Sequence, residues 1–141
     1  MDIRRTLVLT RPPEEVFAYL RDFTTTEEWD SGTIRTTLLE GDGGVGTRYH
    51  NVSRFLGRQT ELTYVVEEDR PPRRLRLRGE NPTVRTQDTM TLSPTASGGT
   101  QLSYHAEFTF IGLARWVAPL LGPAFRRLGE ESEKGLREAL R

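Results

Sequence analysis

Cysteine is absent from the 141 residues, which excludes disulfides, a thiolate nucleophile and any cysteine-based metal site. Histidine is confined to His50 and His105, and lysine to Lys134. Net charge is lacking as well: 20 basic and 20 acidic residues cancel. No overall field then holds a nucleic acid or an anionic membrane, and neither is expected as a partner. Long apolar runs are missing too. Arg, Glu or Asp interrupts every candidate before it reaches the ~20 apolar residues of a membrane span. The first residues lack the apolar core of a signal peptide. A cytoplasmic protein is therefore expected, in which the sequon Asn51-Val52-Ser53 carries no meaning.

What is present suits one domain over residues 1–141, with one core that buries roughly 70% of the unfolded chain's surface. Hydrophobic residues make up 35% and charged residues 28% of the chain, a balance far from that of disordered proteins. Met1 to Thr10 alternates as a strand until Arg11-Pro12-Pro13 stops it. A helix follows to about Asp22. Pro13 suits its first turn, Glu14 and Glu15 its positive end, and Val16, Phe17 and Leu20 form its apolar face. Thr24 to Trp29 reads as a second short helix with Thr24, Thr25 or Thr26 as N-cap.

Six strands are then expected at Thr33–Glu40, Thr47–Phe55, Gln59–Glu67, Arg73–Gly79, Val84–Ser93 and Gln101–Phe110. Gly, Pro and Asn punctuate them closely enough to imply an antiparallel meander. Parity groups Leu62, Tyr64 and Val66, then Met90 and Leu92, then Leu102, Tyr104, Ala106, Phe108 and Phe110 on inward faces. The final segment carries an apolar helical stripe through Leu113, Trp116, Val117, Leu120, Leu121, Ala124, Leu128, Gly135, Leu136, Ala139 and Leu140. Pro119 and Pro123 must break it, leaving a short piece to about Ala118 and a main helix from Pro123.

Gly41-Asp42-Gly43-Gly44-Val45-Gly46 satisfies the G-x-G-x-x-G pattern of dinucleotide sites. The residues after it read as a strand, with no helix to receive a phosphate, so a hairpin turn is the expectation. His50 and His105 fall on the solvent side by parity. Two distant histidines do not make a zinc site, and neither a metal nor a cofactor is expected. The parity that turns Met90 inward also turns Thr86 and Asp88 inward. A bulge or an early strand end would return Asp88 to solvent, and that structural reading is preferred; otherwise its carboxyl is a candidate acid or base. Tyr49, Tyr64 and Tyr104 are the other inward polar tips, able to orient a ligand oxygen or to fill core.

The element order, the entry Arg11-Pro-Pro-Glu-Glu-Val-Phe17, Asp22 with Trp29-Asp30, Val45-Gly46-Thr47-Arg48-Tyr49, Val65-Val66-Glu67 with Pro71-Pro72-Arg73-Arg74-Leu75, and Gly99-Thr100-Gln101-Leu102 resemble the START/polyketide cyclase superfamily (SRPBCC). That resemblance implies an α+β helix-grip fold. A seven-stranded curved antiparallel sheet, with two short helices after its first strand, would close over a long C-terminal helix. It also implies a pocket for a small hydrophobic molecule, aromatic, polyketide-like or lipid-like, and in its enzymatic form a cyclase/dehydratase-like activity. A non-catalytic carrier or sensor, or an interaction module with a filled core, are the alternatives, and the chain would be a monomer or homodimer. The candidate ligand-binding set is Trp29, Tyr49, Tyr64, Asp88, Met90, Tyr104, Phe108, Phe110, Trp116 and Leu120. Asp88, Tyr64 and Tyr104 are the candidate acid–base groups, expected to share one cavity bounded by Phe108 and Trp116.

Overall fold

A computed structural model describes Met1 to Arg141. Strand β1 (Asp2–Leu9) leads into helix α1 (Pro13–Arg21), a 3-10 turn (Phe23–Thr25) and the short α2 (Thr26–Trp29). Strands β2 (Thr33–Glu40), β3 (Arg48–Phe55), β4 (Arg58–Arg70), β5 (Arg74–Glu80), β6 (Val84–Pro94) and β7 (Thr100–Phe110) follow. The chain ends in α3 (Ala114–Val117), a 3-10 turn (Ala118–Leu121) and α4 (Gly122–Ala139). The sheet has seven antiparallel strands in the order β1-β7-β6-β5-β4-β3-β2. It curves around the helices in the helix-grip arrangement.

Local chemistry explains the joints. Asp22 ends α1 in an extended conformation, and its carboxylate accepts hydrogen bonds from the Thr24 backbone N–H and hydroxyl. Asp22 thus caps the 3-10 turn, because a short acidic side chain reaches the free N–H groups of the next turn, while Thr25 stands at the N-cap position of α2 without a capping bond from its side chain. Gly41, Gly43 and Gly46 all have positive φ, as the β2–β3 connection requires, and strand β3 follows them. Strand β4 runs three residues past Glu67, through a register shift between Val66 and Glu68. That bulge keeps the pairing going where simple alternation ends.

The inner face divides into two regions. Under α1 the sheet is solidly packed: Leu7, Val16, Leu20, Leu75, Met90 and Leu102 are all fully enclosed. Helix α4 crosses β1 and α2 and buries Phe125, Gly129, Ser132 and Leu136. This buried line keeps Leu136 and Leu140 of the expected stripe, leaves Leu121, Leu128 and Ala139 half-buried along its edge, and adds Phe125 and Ser132, which the stripe does not include. Close approach at two glycines fixes how α4 sits. A Cβ at Gly135 would overlap the Trp29 carbonyl, and one at Gly129 would lie 2.8 Å from the Ile3 side chain. No helix is long and apolar enough to cross a membrane.

Candidate functional site

Between the first half of α4 and the β3–β7 end of the sheet lies a cavity of about 190 Å³, partly open at one end. Its floor follows from register. Tyr64 pairs with Gly79, Gly79 with Thr86 and Thr86 with Phe108, so one inward row crosses four strands. Its middle position has no side chain. A Cβ on Gly79 would stand 2.7 Å from the Tyr64 ring and 2.8 Å from the Thr86 hydroxyl. The next row places Asp88 between Leu77 and Ala106. The Tyr64 ring therefore lies over Gly79 beside Thr86, and Tyr64, Thr86, Asp88 and Phe108 present their side chains to the cavity.

Phe125 of α4 forms the lid of this space. Its ring centroid lies 4.6 Å from Phe108, 4.7 Å from Phe55 and 5.9 Å from Phe110. Leu62, Val84 and Leu128 add apolar wall, and Asp30, Tyr64, Thr86, Asp88, Tyr104 and Ser132 bring polar atoms.

Asp88 is 6% exposed, so the expectation of a bulge releasing it to solvent is corrected: β6 pairs with β7 without interruption from Val84 to Pro94, and parity carries through. Its carboxylate accepts one long hydrogen bond, from the Tyr104 hydroxyl at 3.4 Å. Burial, aided by the negative charge of Asp30 and opposed by the Tyr104 bond, pushes its pKa up to about 7. Burial also raises the Tyr64 and Tyr104 phenols well above their usual range, with the Asp88 charge adding to the effect. Asp30 is raised by burial too, but its carboxylate is better satisfied. It accepts from Gly32 N–H, Thr33 Oγ1 and Ser132 Oγ at 3.2, 2.9 and 3.3 Å.

Of the predicted residues, Tyr64, Asp88, Tyr104, Phe108 and Phe110 line this cavity. Trp29 is buried beside it, edge-on to Tyr104 at 5.6 Å. Tyr49 faces inward but belongs to another region, because Phe23 packs against both Tyr49 and Tyr64 and Tyr49 donates to the Arg21 carbonyl at 3.4 Å. Met90 is fully buried one inward step beyond Asp88, on the α1 side. Trp116 and Leu120 are the corrections: they are 69% and 78% exposed. The chain after β7 turns at Gly112 and breaks at Pro119 and Pro123. That segment therefore cannot extend the buried face of α4, and only Ala114 from it reaches the cavity wall.

Sequence reasoning misses Phe125, Asp30 and Ser132. The available signal is the spacing of Phe125, Gly129, Ser132, Leu136 and Leu140 along one helical face. On the opposite side of the sheet, His50 and His105 are half-buried rather than exposed. Each meets a carboxylate of a neighbouring strand, Glu61 at 2.9 Å and Asp2 at 3.1 Å. Asp2, His105 and Glu107 bring their ligand atoms within 4.8 Å of one another, with Asp2 exposed, away from the cavity.

The model of the family described as polyketide cyclase / dehydrase and lipid transport matches residues 1–141. The chain belongs to this family. A crystal structure of a Thermus thermophilus protein has a TM-score of 0.82 at 19% identity, covering 99% of this chain and 97% of that one. The Zhui aromatase/cyclase from a Streptomyces species gives 0.83 at 15% identity, covering 99% and 93%. A START superfamily protein from Mycobacterium smegmatis gives 0.74 at 13% identity, covering 99% and 93%. At these identities the shared property is the fold. No curated protein matches the chain in sequence.

Proposed function

We propose that the chain binds a small, largely apolar molecule in the cavity between the sheet and α4, with an aromatic ring or short chain among Phe55, Phe108, Phe110 and Phe125. The observation that carries this reading is a space of about 190 Å³ with aromatic walls and a few convergent polar groups, the usual make-up of a small-molecule site. An apolar cavity of about 150 Å³ accepts benzene. One ring with a short substituent therefore fits inside, and anything larger must extend through the open end. Family membership supports hydrophobic ligand binding.

A second, catalytic reading is favoured by Asp88, whose pKa near 7 keeps both protonation states available at neutral pH, as general acid–base work requires. In a cyclase/dehydratase-like step its carboxylate would take a proton from the carbon beside a ligand carbonyl. It would return that proton to a β-hydroxyl, which leaves as water while the double bond forms. Asp88→Asn should then abolish turnover.

Phe108→Ala tests the binding reading. Phe108 is half-buried against Phe125, so its truncation should destabilise the fold by less than the ~3–5 kcal/mol of a solid-core phenylalanine. It should also weaken or re-select ring-shaped ligands. Chemical denaturation and propylbenzene titration of the variant measure both, and a core-sized stability loss with unchanged binding contradicts the reading.

A further inference from the structure

The charges around the cavity are one-sided. Asp88 has no ion-pair partner, and its single hydrogen bond comes from Tyr104 at 3.4 Å. Thr86, 2% exposed, lies across Gly79 from the Tyr64 ring, and its hydroxyl faces the Tyr64 phenol without a well-formed hydrogen bond. Asp30 contributes a second carboxyl from the end of α2, and α4 contributes Ser132 and Gly129 but no charge. The one cation on the wall is Arg54, which is exposed. Arg5 of β1 turns toward α4 but donates to the Arg126 carbonyl at 3.3 Å and is not part of the wall. Acceptor oxygens thus converge on an apolar space without a countercharge.

Buried polar groups without partners cost free energy, and the ligand that relieves this cost can be named by its chemistry. A carboxylate would add a third negative charge beside Asp30 and Asp88. A hydrocarbon would leave Asp88 and Thr86 as they are. An ammonium group brings three donors and no acceptor, matching Asp88, Thr86 and the Tyr64 hydroxyl, and its charge is also attracted to nearby aromatic faces. Resting on the reading of the cavity as a ligand site, we propose that its ligand is an apolar molecule ending in a basic amine. The amine sits at Asp88 and Thr86, and the apolar body lies among Phe108, Phe110 and Phe125.

Three probes that share a phenyl ring and a short chain separate the possibilities: 2-phenylethylamine, propylbenzene and 3-phenylpropanoate, each titrated into the full chain by NMR at pH 8. The amine should bind about tenfold or more tighter than propylbenzene, the increment of a charge-assisted hydrogen bond, and the carboxylate should bind most weakly. Asp88→Asn should remove the amine's advantage. A pH series on the unmodified chain gives the same answer without a variant. Asp88 changes charge near pH 7, with Asp30, Tyr64, Tyr104, Arg5 and Arg54 as the other titratable groups around it. Amine affinity should therefore rise about tenfold from pH 6 to pH 8, while propylbenzene affinity stays level. If propylbenzene binds but the amine binds no tighter, or the carboxylate binds tightest, the amine proposal is wrong and the ligand site stands. If none of the three binds, the site itself is wrong and the proposal falls with it.

Discussion

Asp88 holds a carboxyl in an apolar wall, and that placement has a cost that depends on pH. In the unfolded chain the group titrates near 3.8 and in the fold at about 7. Between those values the folded state binds the extra proton, so stability falls as pH rises from about 4 through 7. Below about 4 both states are protonated and the penalty vanishes; above 7 it is complete, at up to about 4 kcal/mol. Asp88→Asn carries no such penalty. Urea unfolding at pH 4, 6 and 8 should show the variant gaining on the parent protein as pH rises, by a few kcal/mol at pH 8. Parallel stability curves would mean that Asp88 is solvated. The inward orientation is readable because β6 and β7 alternate without a bulge from Val84 to Pro94. What parity alone does not reveal is Gly79, whose missing side chain lets the Tyr64 ring and the Thr86 hydroxyl close over the strand; a glycine in a strand pattern signals either a weak point or a close approach, and only the register distinguishes them.

At the scale of elements, α4 decides whether the sheet's inner face is covered. Its buried line of Phe125, Gly129, Ser132 and Leu136 contains two residues that do not register as apolar, so the pattern of large hydrophobic residues catches Leu128, Leu136 and Leu140 but not the part of the face between Phe125 and Ser132. The strands are legible because their period is short and their turns are marked by Gly, Pro and Asn. Leu113, Trp116, Val117 and Leu120 are apolar yet turned outward, with Leu113 84% exposed, since the 3-10 turn around Pro119 interrupts the helix before α4. Asp30 escapes sequence reasoning for a related reason. It lies at a helix end, where no periodicity assigns a face, and its carboxylate is held at the cavity by Gly32, Thr33 and Ser132. Truncation after Leu121 should expose Ile3, Tyr104, Phe108 and Phe110, which lie under α4, and yield a chain that binds hydrophobic dyes and aggregates. A truncated chain that unfolds cooperatively and binds no dye would show that α4 is dispensable.

For the molecule as a whole, the balance of charge and the absence of cysteine leave shape and local polarity as the carriers of function. One end of the helix-grip sheet is packed solid under α1. The other is hollow under α4, and that is where the proposed ligand would lie. The most direct measurement is an NMR titration of the full chain with propylbenzene, following methyl and aromatic resonances. Saturable shifts should appear at Leu62, Val84, Phe108, Phe125 and Leu128, which line the cavity, while Leu20, Leu75 and Met90 of the solid region stay unchanged. Absence of saturation, or shifts confined to the exposed Leu113, Trp116 and Leu120, would contradict the account.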